Sequence, residues 1–160
     1  MAEIRLICVG KFREKHYIAA FEEYKKRLSA FCRFELVEIP EERLSEDPSE
    51  REIAAALERE AEAVLRAVPK GATLIALCVE GKHLSSPELA AYFQEAFLAG
   101  RSRLCFVIGG SYGLAPEVKR RAALKLSMSR MTFPHHLARV MLAEQLYRAF
   151  TILEGRKYHK

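Results

Sequence analysis

The sequence predicts an α/β fold: a mostly parallel β-sheet with helices on both faces, in a single domain over residues 1–160. Three observations carry that expectation. Strand and helix patterns alternate along the chain. The central strands are uninterrupted apolar runs, as in sheets buried on both faces. The 160 residues, 50% hydrophobic and 29% charged, suffice for one core and are too few for two.

The elements follow in order. Ile4-Arg5-Leu6-Ile7-Cys8-Val9-Gly10 is a short apolar strand closed by glycine. Tyr17, Phe21, Tyr24 and Leu28 recur at helical spacing and predict a helix over about 14–30. Phe34 to Ile39 alternates into a second strand, stopped by Pro40. Residues 40–50, PEERLSEDPSE, are acidic and bounded by proline, which marks a mobile loop. Ile53, Leu57, Ala61, Val64, Leu65 and Val68 outline a second helix, ended by Pro69-Lys70-Gly71. Thr73 to Val79 is a continuous apolar strand. Ser86 is the expected N-cap of a third helix, with Pro87 at its first position. Leu104 to Ile108 is another strand, Pro116 opens a short helix, and Leu124 to Met128 forms a short last strand. A final long helix runs from His136 to about Glu154.

In such sheets ligands sit beyond the carboxyl ends of the strands. Three predicted strands end there in glycine: Gly10, Gly81 and the pair Gly109-Gly110. Their clustering suggests a cleft in which backbone approaches a ligand too closely for a Cβ.

Composition narrows the chemistry. No apolar run approaches the roughly 20 residues of a membrane span, and Met1-Ala2-Glu3-Ile4-Arg5 does not begin like a signal peptide. A cytoplasmic protein is expected. The four cysteines form no C-x-x-C pair, and Cys8, Cys78 and Cys105 lie in apolar runs, so buried reduced thiols are expected. Asp47 is the only aspartate, which excludes a paired-aspartate site within one chain. Residues 1–99 hold 14 Lys and Arg against 18 acidic residues, whereas residues 100–160 hold 12 basic residues and three glutamates. A basic C-terminal third points to a polyanion, most simply nucleic acid.

Four segments carry candidate chemistry. Gly109-x-Ser111-x-Gly113 matches the letters of a serine-hydrolase elbow, with Glu117 and a histidine following in order. That elbow requires a helix starting almost at the serine, and Pro116 delays it. The G-x-G-x-x-G dinucleotide spacing is absent. Ser127 to His136, SMSRMTFPHH, has neither helical period nor loop polarity and suits the wall of an apolar cofactor site. Adjacent His135 and His136 cannot share a metal from one helix face, so no metal is expected. In the last helix Arg139, Glu144, Gln145 and Arg148 interrupt an otherwise apolar surface, which suggests burial against a second chain. Arg139 reads as a phosphate or interface arginine, or as half of a surface salt bridge. The terminal Arg156-Lys157-Tyr158-His159-Lys160 is either a frayed basic tail or a flap that stacks on a base and handles a proton.

Taken together, IRLICVGK (Ile4–Lys11), FELVEIPEE (Phe34–Glu42), LCVEGKHLSS (Leu77–Ser86), FVIGGSYGL (Phe106–Leu114), LSMSRMTFPHHLARVMLAEQLYRAF (Leu126–Phe150) and YHK (Tyr158–Lys160) resemble the RlmH family. These are small bacterial SPOUT-class RNA methyltransferases. The resemblance implies a trefoil-knotted α/β domain working as a homodimer. It implies S-adenosylmethionine-dependent methylation of N3 of a pseudouridine in 23S ribosomal RNA, on the assembled ribosome. Family cofactor positions carry over to Leu77, Cys78, Gly109, Gly110, Met128, Ser129, Arg130, Met131, Thr132, Phe133 and Pro134. The helix arginine carries over to Arg139, and the tail positions to Tyr158, His159 and Lys160, with catalytic roles for Arg139, Tyr158 and His159. The other readings are a ribosome- or RNA-binding protein without activity, and a serine hydrolase using Ser111.

Overall fold

Alternation along β1 (Ala2–Val9) sets the layers. Ile4, Leu6 and Cys8 enter one apolar core, and Ile7 and Val9 enter a second on the opposite face. Because both faces are covered, the strand carries apolar residues in succession rather than one in two. The computed structural model describes residues 1–160, and the same logic organises the rest. The remaining elements are α1 (Lys15–Leu28), β2 (Cys32–Ile39), α2 (Glu50–Ala67), β3 (Thr73–His83), α3 (Ser86–Leu98), β4 (Arg103–Ile108), α4 (Pro116–Arg121), β5 (Leu124–Ser127) and α5 (His135–Leu153). They build one five-stranded sheet in the order β2-β1-β4-β3-β5, and every pairing is parallel.

Helices α1, α3 and α5 cover the face reached by Ile4, Leu6, Leu104 and Phe106. There Phe93 lies against Phe106 and Phe150, with ring centroids 6.1 and 5.6 Å apart. Helices α2 and α4 cover the other face through Ala61, Val64 and Val118, packed on Ile7, Val107 and Ala76. No helix is long and apolar enough to cross a membrane. Burial of this paired-core kind is the main favourable term in folding.

Most elements lie where the sequence puts them, and the differences have local causes. The cap of α3 is Ser85, not Ser86: the Ser85 hydroxyl accepts from Glu88 N–H, and the Glu88 carboxylate accepts from Ser85 N–H. Such a reciprocal capping box satisfies two otherwise unpaired donors. It leaves the Ser86 hydroxyl free to donate to Gln145 of α5, at 2.6 Å. Strand β3 continues past Val79 to His83, because its register on β5 breaks between Leu77 and Lys82 and then resumes. Gly81 therefore lies inside β3 rather than at its end. A Cβ there would sit 2.7 Å from the Lys125 carbonyl oxygen, so this close approach explains the glycine. Residues 40–49 lie outside helices and strands, yet Glu41 and Glu42 are tied down. Glu42 N–H donates to the Glu60 carboxylate at 2.9 Å, and Glu41 accepts from Ser111 N–H at 3.1 Å.

All four cysteines are free. The expectation of burial holds for Cys8 and Cys105 and extends to Cys32, but Cys78 is only half-buried because β3 bulges there. Burial pushes the thiols of Cys8, Cys32 and Cys105 up to about 12. Burial also raises Cys78, assisted by the nearby Glu80 carboxylate. A disulfide reagent applied to the native protein should therefore label Cys78 alone, faster as pH rises, with the other three reacting only on unfolding. Mass mapping of labelled peptides checks this, and rapid native labelling of Cys8 or Cys105 would contradict the packing described.

Candidate active site

The carboxyl ends of β3 and β4 and the segments that follow β4 and β5 enclose a cleft of about 620 Å³. Its walls include Leu77 and Cys78 of β3, the Gly109–Leu114 turn, Met128 and Ser129, Met131 to Pro134, and Ala138 of α5. Ten of the eleven cofactor positions expected from the sequence thus meet in one place. Arg130 is the exception. It is exposed and does not line the cleft.

Backbone geometry shapes the turn. Gly113 adopts φ +79°, in the left-handed region that favours glycine, and its N–H donates to the Gly110 carbonyl at 3.0 Å. A Cβ on Gly109 would lie 2.4 Å from the Gly113 carbonyl oxygen. A Cβ on Gly110 would lie 2.7 Å from Glu41 Oε1. At Gly109 the neighbouring atoms are backbone, so the fold itself requires a glycine there, whereas at Gly110 the neighbour is the end of a flexible side chain. On the opposite wall Ser129 bends the chain: its hydroxyl accepts from Met131 N–H at 3.0 Å, and its carbonyl accepts from the Ser127 hydroxyl at 3.0 Å.

His135 also borders the cleft, and burial holds its imidazole below the ordinary histidine range, with His136 adding to the effect. His136 turns away, its Nδ1 lying 2.7 Å from Glu14 Oε2. No group of three His, Cys, Asp or Glu side chains converges as metal ligands. Ser111 has no catalytic partners: the Glu117 carboxylate is held by Arg120 and Arg121, and the next helix begins only at Pro116. The hydrolase elbow is absent from the turn.

Arg139 is fully buried. Its Nη1 donates to Glu38 Oε2 at 2.9 Å, and its Nη2 donates to the Gly10 carbonyl at 2.8 Å and the Val9 carbonyl at 3.3 Å. The guanidinium lies 4.7 Å over the Phe12 ring, and Nε has no partner. It forms a salt bridge, but a buried one rather than the surface pair the sequence suggested. Enclosed in this way it meets no phosphate, and it acts by holding the ends of β1 and β2 to α5.

The tail does not close over its own chain's cleft. Tyr158 packs edge-on against Tyr147 at 4.8 Å, and its hydroxyl donates to Glu144 Oε1 at 3.2 Å. Arg148 pairs with Glu144, lies 4.7 Å over the Tyr158 ring, and donates to His159 Nδ1 at 3.2 Å. Along α5 the cluster lies about 15 Å from Ala138, ten residues of helical rise away. Glu144 and Arg148 escaped assignment in the sequence, where only their polarity within an apolar helix marked them. Their spacing of four places both on one helix face, which was the available signal. Lys160 is exposed at the end of the chain.

The family described as "Predicted SPOUT methyltransferase" matches residues 2–159. This chain belongs to the SPOUT methyltransferase family. It is 46% identical over 157 residues to the ribosomal RNA large subunit methyltransferase H of Bifidobacterium animalis subsp. lactis, covering 98% of this chain and 99% of that protein. The proteins of the same name from Ligilactobacillus salivarius and Clostridioides difficile are 45% and 43% identical over the same shares. Among solved structures, a probable methylase family protein from Haemophilus influenzae Rd KW20 superimposes with a TM-score of 0.58 at 16% identity, covering 98% of this chain and 70% of that one. A protein whose structure addresses 2-OH methylation of C/U34 on tRNA gives 0.51 at 19% identity, covering 97% and 99%. At such identities these two show the fold. In this SPOUT methyltransferase, Arg139→Ala should cost about 3–5 kcal/mol, because Glu38 and two strand-end carbonyls lose their donor. Urea denaturation of the variant measures it, and a loss below 1 kcal/mol would show that the buried pair is dispensable.

Proposed function

We propose that this protein is an S-adenosylmethionine-dependent methyltransferase that modifies N3 of a pseudouridine in 23S ribosomal RNA, acting on the assembled ribosome as a cytoplasmic homodimer. One observation carries the reading: the cofactor positions expected from the sequence converge on a single cleft, in a chain 43–46% identical to ribosomal RNA large subunit methyltransferases H. The cleft suits the proposed cofactor. Leu77, Met128 and Phe133 offer apolar wall for an adenine, and the turns at Gly109–Gly113 and Ser129–Met131 bring backbone polar groups beside them. S-adenosylmethionine, when bound, supplies an electrophilic methyl group. The protein's own contribution is to hold the target nitrogen in line with it, which accounts for most of the rate in reactions between positioned groups.

The tail belongs to the substrate side. Because Tyr158 and His159 lie along α5 away from their own cleft, the reading requires them to serve the cleft of a second copy. Two features support that pairing. Every residue of α5 is buried or half-buried, and Tyr24, Leu84, Leu89, Val140 and Met141 line an open groove of about 520 Å³ along it. This is the face a second copy would cover, and a trefoil knot around α5 is part of the same proposal. The basic rim, with exposed Arg130 and Lys157, would meet RNA phosphates.

Within the tail, roles follow from donor and acceptor capacity. Arg148 can only donate, so His159 Nδ1 accepts and Nε2 carries the proton. Burial and the Glu144 carboxylate push the Tyr158 hydroxyl up to about 12, so it stays protonated at neutral pH. His159 thus presents its Nε2 donor to a base and orients it, whereas the Tyr158 hydroxyl proton is engaged by Glu144 and leaves only the ring and an oxygen lone pair to face a base; neither group takes the imide proton in this arrangement.

Sedimentation at micromolar concentration should give about twice the 18.2 kDa chain mass. A clean monomer would remove the tail's route to a cleft. Truncation after Lys157 should preserve folding and S-adenosylmethionine binding while methyl transfer to ribosomes falls at least about 100-fold. His159→Ala should cost less than the truncation, because an orienting donor is lost and no base. Mass spectrometry of the modified ribosomal RNA reads the outcome, and wild-type transfer by the truncated chain would reduce the tail to a frayed end.

A further inference from the structure

We propose that Glu41 is a positioning residue for the cofactor cleft, acting from behind the glycine turn; this rests on reading the cleft as the S-adenosylmethionine site. Glu41 follows Pro40 at the end of β2, where the acidic stretch read as a mobile loop begins and the FELVEIPEE segment ends. Its carboxylate lies between the ends of β1 and β4. Oε2 is 3.6 Å from where a Cβ on Gly10 would stand, and Oε1 is 2.7 Å from where a Cβ on Gly110 would stand. Gly110 leaves the space that the carboxylate occupies, while a side chain at Gly10 would only touch it. From that space Oε1 accepts from Ser111 N–H at 3.1 Å, at the apex of the turn that walls the cleft.

The carboxylate reaches this position because the following residue is anchored. Glu42 N–H donates to the buried Glu60 of α2 at 2.9 Å, and the Glu42 carboxylate accepts from Arg59 at 3.2 Å. Glu41 lines the groove behind the turn and takes no part in lining the cleft, so it touches the cofactor only through Gly110 and Ser111. A charged acceptor on a backbone N–H is among the stronger neutral–ionic hydrogen bonds, and one at a turn apex fixes the orientation of the peptide units on either side. The rim of the cleft is thereby set by a residue from the neighbouring strand.

A double-mutant cycle tests this, with calorimetric titration of S-adenosylmethionine, steady-state methylation of ribosomes and thermal unfolding as readouts. Glu41→Ala should weaken S-adenosylmethionine binding about 5- to 10-fold and raise its KM equally, with kcat at saturation and the unfolding temperature nearly unchanged. Glu41→Gln keeps an acceptor and should bind within about 2-fold of wild type. Gly110→Ala displaces the carboxylate and should weaken binding to a similar degree, but should add nothing in the Glu41→Ala background. Wild-type affinity in Glu41→Ala, or full additivity with Gly110→Ala, overturns the proposal while leaving the cleft assignment intact. Failure of the wild-type protein to bind S-adenosylmethionine overturns the cleft assignment and the proposal together. If Glu41→Ala does not fold, wild-type binding by Gly110→Ala is sufficient to overturn it.

Discussion

A buried guanidinium ties this fold together at its functional edge. Arg139 projects from α5 into the space where β1 and β2 end, and it satisfies Glu38 and the carbonyls of Val9 and Gly10 at once. A charge without solvent is tolerated only with such partners, so the geometry around it is narrowly determined. The consequence reaches both halves of the candidate site. The start of α5 carries His135 and Ala138 into the cleft, and its far half carries Glu144 and Arg148 to the tail. One helix, fixed at one arginine, orients two clusters of chemistry.

Close backbone approach is the second constraint. Gly81 lies against the Lys125 carbonyl where β3 bulges over β5, and Gly109 lies against Gly113 within the turn after β4. Both contacts leave no room for a side chain between the paired segments, and at Gly109 this brings backbone to the cleft beside its apolar side chains. The bulge also swings Cys78 to Glu80 toward the opening, where Lys119 of α4 meets Glu80 at 2.5 Å. Together these backbone features define a shape suited to a flat, mostly apolar ligand.

Charge is divided along the chain in the same way. Much of the basic C-terminal third is spent in local pairs, with Glu117 holding Arg120 and Arg121 and Glu144 holding Arg148. Exposed ion pairs of this kind add little stability. The Glu144–Arg148 pair does more, because it also engages Tyr158 and His159 and thereby gives a terminal segment a defined position. A frayed end and an ordered flap differ here by a handful of polar contacts on one helix face.

The sequence by itself determined the sheet-and-helix alternation and a cleft at the carboxyl edge, and its family resemblance named ten residues that the fold brings to that cleft. Apolar runs, caps and glycines act over a few residues, and such local signals survive in one dimension. It could not determine that Ser85 rather than Ser86 caps α3, since two adjacent serines offer the same hydroxyl and only the Gln145 contact separates them. Nor could it keep Arg130 out of the cleft lining, bury Arg139, or bring Glu41 from the end of β2 to the turn after β4. Those outcomes depend on which strand lies beside which. The order β2-β1-β4-β3-β5 sets residues 70 or more positions apart against one another, and the tail likewise lies away from its own cleft because it follows the far end of α5. Side-chain partners are chosen by proximity in space, and that proximity exists only once the sheet has assembled.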